Sequence, residues 1–312
     1  MKSASNSPFA KPHAPRPKEV SSFHRVDDDA HLGQFIPLHY HGQMLADERR
    51  MAPFDEAIAK LVPPGSHVVE LGGGTGVLSF FASKRARKVT TVERIPHVAR
   101  AARRLLVANG VSDKVTVIDA DARNFVPDEP ADVVICEMLH VALLREKQLE
   151  VLEAFKAAHL AKFGLTIPLI LPEASILAIQ PIFQPYDFHG YHAPVPLFHE
   201  PGSVFSNTVE MGQPKVYSIV EYVKELPQAF QVDEILTAEA DGSINALRFI
   251  TKNIVGIFPE ARRSADWHMQ YMSLPLPAPV QVKAGDRLRV RFEYNAGDSI
   301  EALQSAVCTS LG

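Results

Sequence analysis

Between His67 and Leu160 the chain repeats one unit: a short apolar run, then a longer stretch with helical periodicity. His67-Val68-Val69-Glu70-Leu71, Lys88 to Glu93, Val115 to Ile118 and Asp132 to Ile135 are rich in β-branched residues and read as buried strands. Helical stretches follow from the glycines after Leu71 through Ala86, from Pro96 to Asn109 and from Leu143 to Leu160. Pro96 near a start and Gly110 just past an end are the expected punctuation. Strands separated by helix-length crossovers pair in parallel. The alternation therefore predicts an α/β fold, a doubly wound parallel sheet with helices on both faces.

Upstream, Gln43 to Met51 reads as a short helix, with Pro53 in the first turn of the next. After about Leu165 the alternation stops. Ser175 to Gln180, Val216 to Val223, Ala246 to Ile250, Val280 to Val282 and Leu288 to Tyr294 are short β-type runs between Pro- and Gly-bearing turns, as in an antiparallel sandwich or barrel. The predicted organisation is a tail over 1–30, a Rossmann-like domain with an N-terminal lid helix over 31–165, and a β-barrel-like domain over 166–312. The tail is rich in Ser, Pro, Lys and His and buries too little to order itself.

Composition removes several classes of function. A formal net charge of −4 argues against a general nucleic-acid surface and favours cationic partners. Cys136 and Cys308 are the only cysteines, too few for a disulfide framework or a Cys-based zinc site, so a reducing, cytoplasmic setting is expected. The histidines of the tail and middle loops, between His13 and His199, fit no metal-ligand template, and no metal is expected. The greasiest stretch, Leu165 to Ala178, is broken by Pro168, Pro172 and Glu173, and the N-terminus has no apolar signal core, so no membrane role is expected.

The run Glu70-Leu71-Gly72-Gly73-Gly74-Thr75-Gly76 leaves a strand and opens a helix, the context in which a glycine loop cradles a nucleotide. A dinucleotide fingerprint counted from Gly72 needs a small residue at 77; Val77 is there, which leaves an adenosine-type ligand. Gly72, Gly74 and Gly76 let the backbone approach it. Glu93 ends the second strand, 21 residues after Gly72, where a carboxylate accepts from both ribose hydroxyls. Asp121 and Ala122, past the third strand, are placed to meet adenine.

These residues resemble a class I S-adenosylmethionine-dependent methyltransferase, and more narrowly the protein arginine N-methyltransferase family over roughly residues 31–312. The narrower resemblance rests on His41-x-x-Met44-Leu45-x-Asp47-x-x-Arg50, on the glycine loop, on Glu137 and Glu146, and on Asp266-Trp267. It implies that His41 and Arg50 close over S-adenosylmethionine, with Arg50 on the methionine carboxylate and Met44 near the sulfonium. It implies a guanidinium-bearing acceptor held by Glu137 and Glu146, and a head-to-tail homodimer formed through an arm, reduced here to Pro181 to Pro201.

Two carboxylates suit that chemistry, since the acceptor and the methyl donor are both cations and repel in a dry pocket. The reading requires both carboxylates to converge and to be free of the protein's own bases. Glu137 closes the fourth strand, and Glu146 falls early in the expected next helix, where it also suits the helix dipole.

Several positions depart from the family. Met138, Leu139 and His140 stand where it carries an aromatic and a glycine. His31 and Phe35 replace two tyrosines, and Arg123 replaces a frequent glutamate. Ala265-Asp266-Trp267-His268 stands where the family's histidine faces the position of Asp47, so His268 is the candidate substitute. The alternatives are a small-molecule methyltransferase acting on free arginine, another guanidine or an amine, and a non-catalytic cofactor-binding scaffold.

Overall fold

A computed structural model describes residues 38–164, 167–202 and 207–312. The expected tail over 1–30, and His31 and Phe35, lie outside the described residues. The chain enters through helix α1 (Leu38–Ala46) and helix α2 (Glu48–Leu61). The break falls at Asp47, not near Met51 as the proline suggested, because the Asp47 side chain accepts from the Arg49 N–H and caps α2. Pro53 is carried inside α2, beyond its first turn.

Strands β1 (His67–Leu71), β2 (Lys88–Glu93), β3 (Val115–Asp119), β4 (Val133–Cys136) and β5 (Leu169–Leu171) form a sheet in the order β3-β2-β1-β4-β5. Every pairing in it is parallel. Helices α3 (Val77–Ser83), α4 (Pro96–Ala108) and α5 (Gln148–Phe163) are its crossovers. β1 is buried at every residue, as a central strand covered on both faces must be. β5 lies past residue 165, so the parallel sheet reaches further along the chain than the boundary expected from the end of the alternation.

Antiparallel structure follows: β6 (Ala174–Phe183), β7 (Asp187–Phe188), β8 (Tyr191–His192), β9 (Leu197–His199), β10 (Val209–Glu210), β11 (Lys215–Glu221), β12 (Ala229–Thr237), β13 (Gly242–Phe258), β14 (Arg263–His268), β15 (Tyr271–Val282), β16 (Arg287–Asn295), helix α6 (Ile300–Ala306) and β17 (Cys308–Leu311). One sheet runs β10-β6-β13-β15-β9, with β11 on β6 and β14 on β13. A second runs β12-β16-β17, and β7 and β8 form a separate hairpin. β13 spans 17 residues, far more than the apolar run Ala246 to Ile250, because it changes partner along its length from β15 to β14.

Phe249 of β13 meets Phe292 of β16 with ring centroids 5.5 Å apart, closing the two sheets over a shared core. That core is continuous with the parallel domain, from Val68 and Leu71 through Leu143 and Leu144 to Phe249 and Leu303. α2 lies against β13 and β14, and a Cβ added at Gly256 would stand 2.8 Å from Ala57 Cβ and 2.7 Å from Leu61 Cδ1. Glycine there lets helix and strand touch, and fixes α2 above the cleft described next. Among the described residues no helix is long and apolar enough to cross a membrane.

Candidate active site

The cleft opens at the carboxyl ends of β1, β2 and β4, where a parallel sheet presents its loops to ligands. Gly72, Gly74 and Gly76 have φ of 77°, 53° and 82°, the left-handed region that glycine enters freely. A Cβ at Gly72 would lie 2.8 Å from Met138 Cγ and Sδ, and one at Gly74 would lie 2.9 Å from His41 Cε1. The loop thus runs beneath two side chains with no room for a third.

Glu93 holds the loop open by accepting from the Gly74 N–H at 2.9 Å through one oxygen and from the Ile95 N–H at 2.8 Å through the other. Burial raises its pKa despite these bonds. Glu70 lies under the loop rather than on its rim: its carboxylate accepts from the Ser79 hydroxyl, and burial pushes its pKa up to about 7. Asp121 accepts from the Arg123 N–H at 3.0 Å and pairs with the Arg123 guanidinium at 2.7 Å, which lowers its pKa. Arg123 also reaches Glu150 at 3.0 Å. The sequence reading placed Asp121 toward adenine and did not anticipate this pairing, although the i, i+2 spacing at a strand end carries the signal.

His41, Met44 and Arg50 line the cleft from α1 and α2, and Ala122 lines it from the turn after β3. Arg50 is half-buried, and its guanidinium donates to Glu137 Oε2 and lies 5.5 Å over the Trp267 ring. Burial lowers its pKa to about 10, although Asp47 and Glu146 act to raise it. Glu137 is therefore engaged by one of the protein's own bases, contrary to the requirement that both carboxylates stand clear. Arg50 Nε remains buried with no partner among the described residues.

Glu146 lines the same cleft. It does not lie in a helix, because α5 begins at Gln148; a 3-10 turn over Val141–Leu143 intervenes. Glu146 thus precedes the N-cap Lys147 instead of sitting in the first turn. Burial pushes its pKa up to about 7, with Arg145 and Arg50 acting in the opposite direction. No salt bridge to Glu146 occurs among the described residues. One guanidinium, that of Arg50, thus bonds to Glu137 and lies within the field of Glu146.

The residues present suit S-adenosylmethionine. A Cβ at Gly72, Gly73 or Gly74 would come within 3.0 Å of a neighbouring side chain, Glu93 presents a carboxylate at the end of β2, and the unmet Arg50 Nε is a buried donor suited to a carboxylate. Among the described residues no group of three or more His, Cys, Asp or Glu is arranged to hold a metal ion.

A methyltransferase-domain family profile matches residues 68–160, the span that holds the loop and both glutamates. An uncharacterized protein of Methanothermobacter thermautotrophicus is 30% identical over 270 residues, covering 86% of this chain and 97% of that one. The chain carries a class I S-adenosylmethionine-dependent methyltransferase domain. It also resembles the arginine methyltransferases. An arginine N(omega)-methyltransferase of Streptomyces achromogenes subsp. streptozoticus is 26% identical, with 82% of this chain and 76% of that one covered. The PRMT1 enzyme–prozyme complex of Trypanosoma brucei superimposes with a TM-score of 0.67 over 88% of this chain and 98% of that one. At 19% identity that likeness is one of fold, a parallel sheet followed by an antiparallel β domain.

The last predicted cluster divides in this methyltransferase. On β14, Ala265 and Trp267 are buried while Asp266 and His268 alternate outward. Trp267 packs edge-on against Phe54 at 6.2 Å and faces Arg50, which lines the cleft. Asp266 pairs instead with Lys252 at 2.6 Å, and His268 stands across from Lys252 on that outward face. Because the segment is a strand, it sends neighbouring side chains to opposite faces. His140 lies 5.8 Å from Phe198, and burial depresses its pKa to about 4.

Proposed function

We propose that this methyltransferase transfers a methyl group to a guanidinium nitrogen of arginine, in a protein or peptide. The observation that carries the reading is Glu137 and Glu146 lining one cleft with the glycine loop, where Glu137 already holds the guanidinium of Arg50.

S-adenosylmethionine, when bound, supplies an electrophilic methyl group on a positively charged sulfur. In the proposal Arg50 holds its methionine carboxylate, Glu93 its ribose hydroxyls, and Asp121 and Ala122 its adenine, with His41 and Met44 covering it. Gly72, Gly74 and Gly76 keep the backbone clear, and Glu70 braces the loop from below through Ser79.

An arginine guanidinium has a pKa above roughly 12 and arrives protonated. Glu137 and Glu146 offset its charge; at an effective dielectric of about 20, each close ion pair is worth roughly 4 kcal/mol before desolvation. Bidentate bonding concentrates positive charge on the nitrogens they touch and leaves the remaining nitrogen better able to attack. That nitrogen would gain the methyl carbon as the methyl–sulfur bond breaks, its electron pair staying on sulfur in the leaving S-adenosylhomocysteine, and would lose a proton. Glu146, with a pKa near 7, is the group suited to take the proton at neutral pH. Arg50 must give up Glu137 Oε2 or share that carboxylate with the acceptor, and its unmet Nε gives it a second place to bind.

A second reading, free arginine as acceptor, draws on the relative named arginine N(omega)-methyltransferase, which matches across 82% of this chain. It also draws on the absence of aromatic side chains at Met138, Leu139 and His140. A scaffold accords less well with a half-buried Glu146 that has no salt-bridge partner among the described residues. A homodimer is proposed through the β7–β8 hairpin, where Tyr191 is 72% and Phe188 41% exposed.

The test is incubation with labelled S-adenosylmethionine and three acceptors: arginine-rich peptides, free arginine and lysine-only peptides. Label entering a guanidine acceptor, and lost in Glu137→Gln, supports the reading. Label entering only the lysine peptides, or none of the three, overturns it.

A further inference from the structure

The segment joining the two glutamates contains Ala142, Leu143 and Arg145 with φ of 57°, 55° and 61°. None is glycine, so each holds a conformation that a Cβ disfavours and that persists only where surroundings impose it. Glu146 follows directly, so whatever imposes the turn also sets where its carboxylate lies.

The two ends of the segment are held by different parts of the fold. At the Glu137 end, Gln148 of α5 donates to Cys136 O at 2.7 Å and accepts from the Met138 N–H at 2.9 Å. These are contacts within the parallel domain. At the Glu146 end the partners come from the β domain. The Ala142 N–H donates to Thr251 Oγ1 at 2.8 Å, and the Tyr294 hydroxyl donates to Ala142 O at 2.9 Å. The Gly297 N–H donates to Leu143 O at 2.9 Å, and the Arg145 N–H donates to Asp298 O at 2.9 Å.

Both backbone polar groups of Ala142 are thus taken by side chains from two sheets, Thr251 on β13 and Tyr294 on β16. The direction of the relay follows from valence. Ala142 O can only accept, so Tyr294 spends its one proton there, and Tyr217, 2.8 Å away, must donate to Tyr294. Thr251 and Tyr294 are buried, and the Tyr294 ring stacks on Phe230 at 4.9 Å. Water is a poor replacement for either bond.

We propose that Thr251 and Tyr294, oriented by Tyr217, are positioning residues through which the β domain sets the placement of Glu146 relative to Glu137. The proposal rests on the reading of those glutamates as the guanidinium site. In this arrangement the β domain completes the acceptor site of the parallel domain, although neither Thr251 nor Tyr294 lines the cleft.

Tyr294→Phe, Thr251→Val and Thr251→Ser test it in the full chain. Hydrogen exchange is read at the amides of residues 140–146, beside kcat, acceptor KM and calorimetric affinity for S-adenosylhomocysteine. The proposal expects faster exchange at Ala142 and Arg145 in Tyr294→Phe and Thr251→Val, with β1 to β3 unchanged. It expects kcat to fall about a hundredfold, the cost of a small misplacement at a reacting centre. Cofactor affinity stays within about twofold, because the cradle lies outside the turn. Thr251→Ser, which keeps the hydroxyl, recovers most of the loss.

Wild-type exchange and kcat in folded variants overturn the proposal. So does a Thr251→Ser defect equal to that of Thr251→Val, or a parallel fall in cofactor affinity. If Tyr294→Phe fails to fold, the Thr251 pair decides by the same criteria. If wild-type protein methylates no guanidine, the acceptor reading falls, while the exchange measurement still decides whether the turn is held this way.

Discussion

The guanidinium of Arg50 rests on the carboxylate of Glu137, an arginine held by the group proposed to hold another arginine. The contact spans residues 87 apart in sequence and joins the helix over the cleft to the end of β4. It indicates that the cleft accepts the shape and charge of a guanidinium. It also means that Arg50 has two carboxylate partners in prospect, Glu137 and the methionine end of the cofactor.

Arg50→Ala is therefore expected to weaken S-adenosylhomocysteine binding by roughly 1.5–3 kcal/mol, the range for a hydrogen bond to a charged group. Calorimetry measures it directly. Unchanged affinity would confine Arg50 to its pairing with Glu137 and remove it from the cofactor site.

The pH profile has a predicted limb. Burial raises the Glu146 pKa to about 7, and the site needs its ionised form to hold a cation. kcat/KM for the acceptor should rise through about 7 and then level. His140, depressed to about 4, stays neutral over that range and adds no limb of its own. Glu146→Gln should leave a low, flat profile; an unchanged limb in that variant would assign the titration to another group.

Glu70 makes a separate prediction about stability. Its folded pKa of about 7 lies above the ordinary carboxylate value, so the folded state binds its proton more tightly than the unfolded state. Its contribution is fully present below the unfolded pKa and is lost as pH rises toward 7. Glu70→Gln should gain on wild type between pH 5 and pH 8, by roughly 3 kcal/mol at most. Thermal melts at both pH values test this, and a constant difference in Tm would contradict it.

The β7–β8 hairpin predicts assembly. With Phe188 and Tyr191 exposed at its tip, the protein should elute as a dimer at micromolar concentration, and Tyr191→Ser with Phe188→Ser should shift it to monomer. Light scattering that finds only monomer in the wild type removes the proposed dimer.

What the sequence disclosed was chiefly local. The glycine loop, β1, β2 and the strand-end position of Glu93 depend on residues within one βαβ unit, and period and punctuation declare them. Features set by distant partners were illegible. Glu146 lies outside the helix because Thr251, Tyr294 and the backbone near Gly297 hold non-glycine residues at positive φ. The outward turn of Asp266 follows from β14 pairing with β13, which no local pattern in Arg263–His268 announces. β12 is a different case: buried and exposed residues alternate from Ala229 to Thr237, but the polar residues on its exposed face leave no continuous apolar run.

The most direct test of the paired-glutamate account is equilibrium binding of the acceptor. Calorimetry with S-adenosylhomocysteine at saturation, titrating an arginine peptide and then free L-arginine, should give a one-to-one complex with at least one of them. Affinity should fall about a hundredfold in Glu137→Gln and in Glu146→Gln, the scale of removing one partner from a buried charged pair. Guanidinium binding that is indifferent to both substitutions would contradict the account.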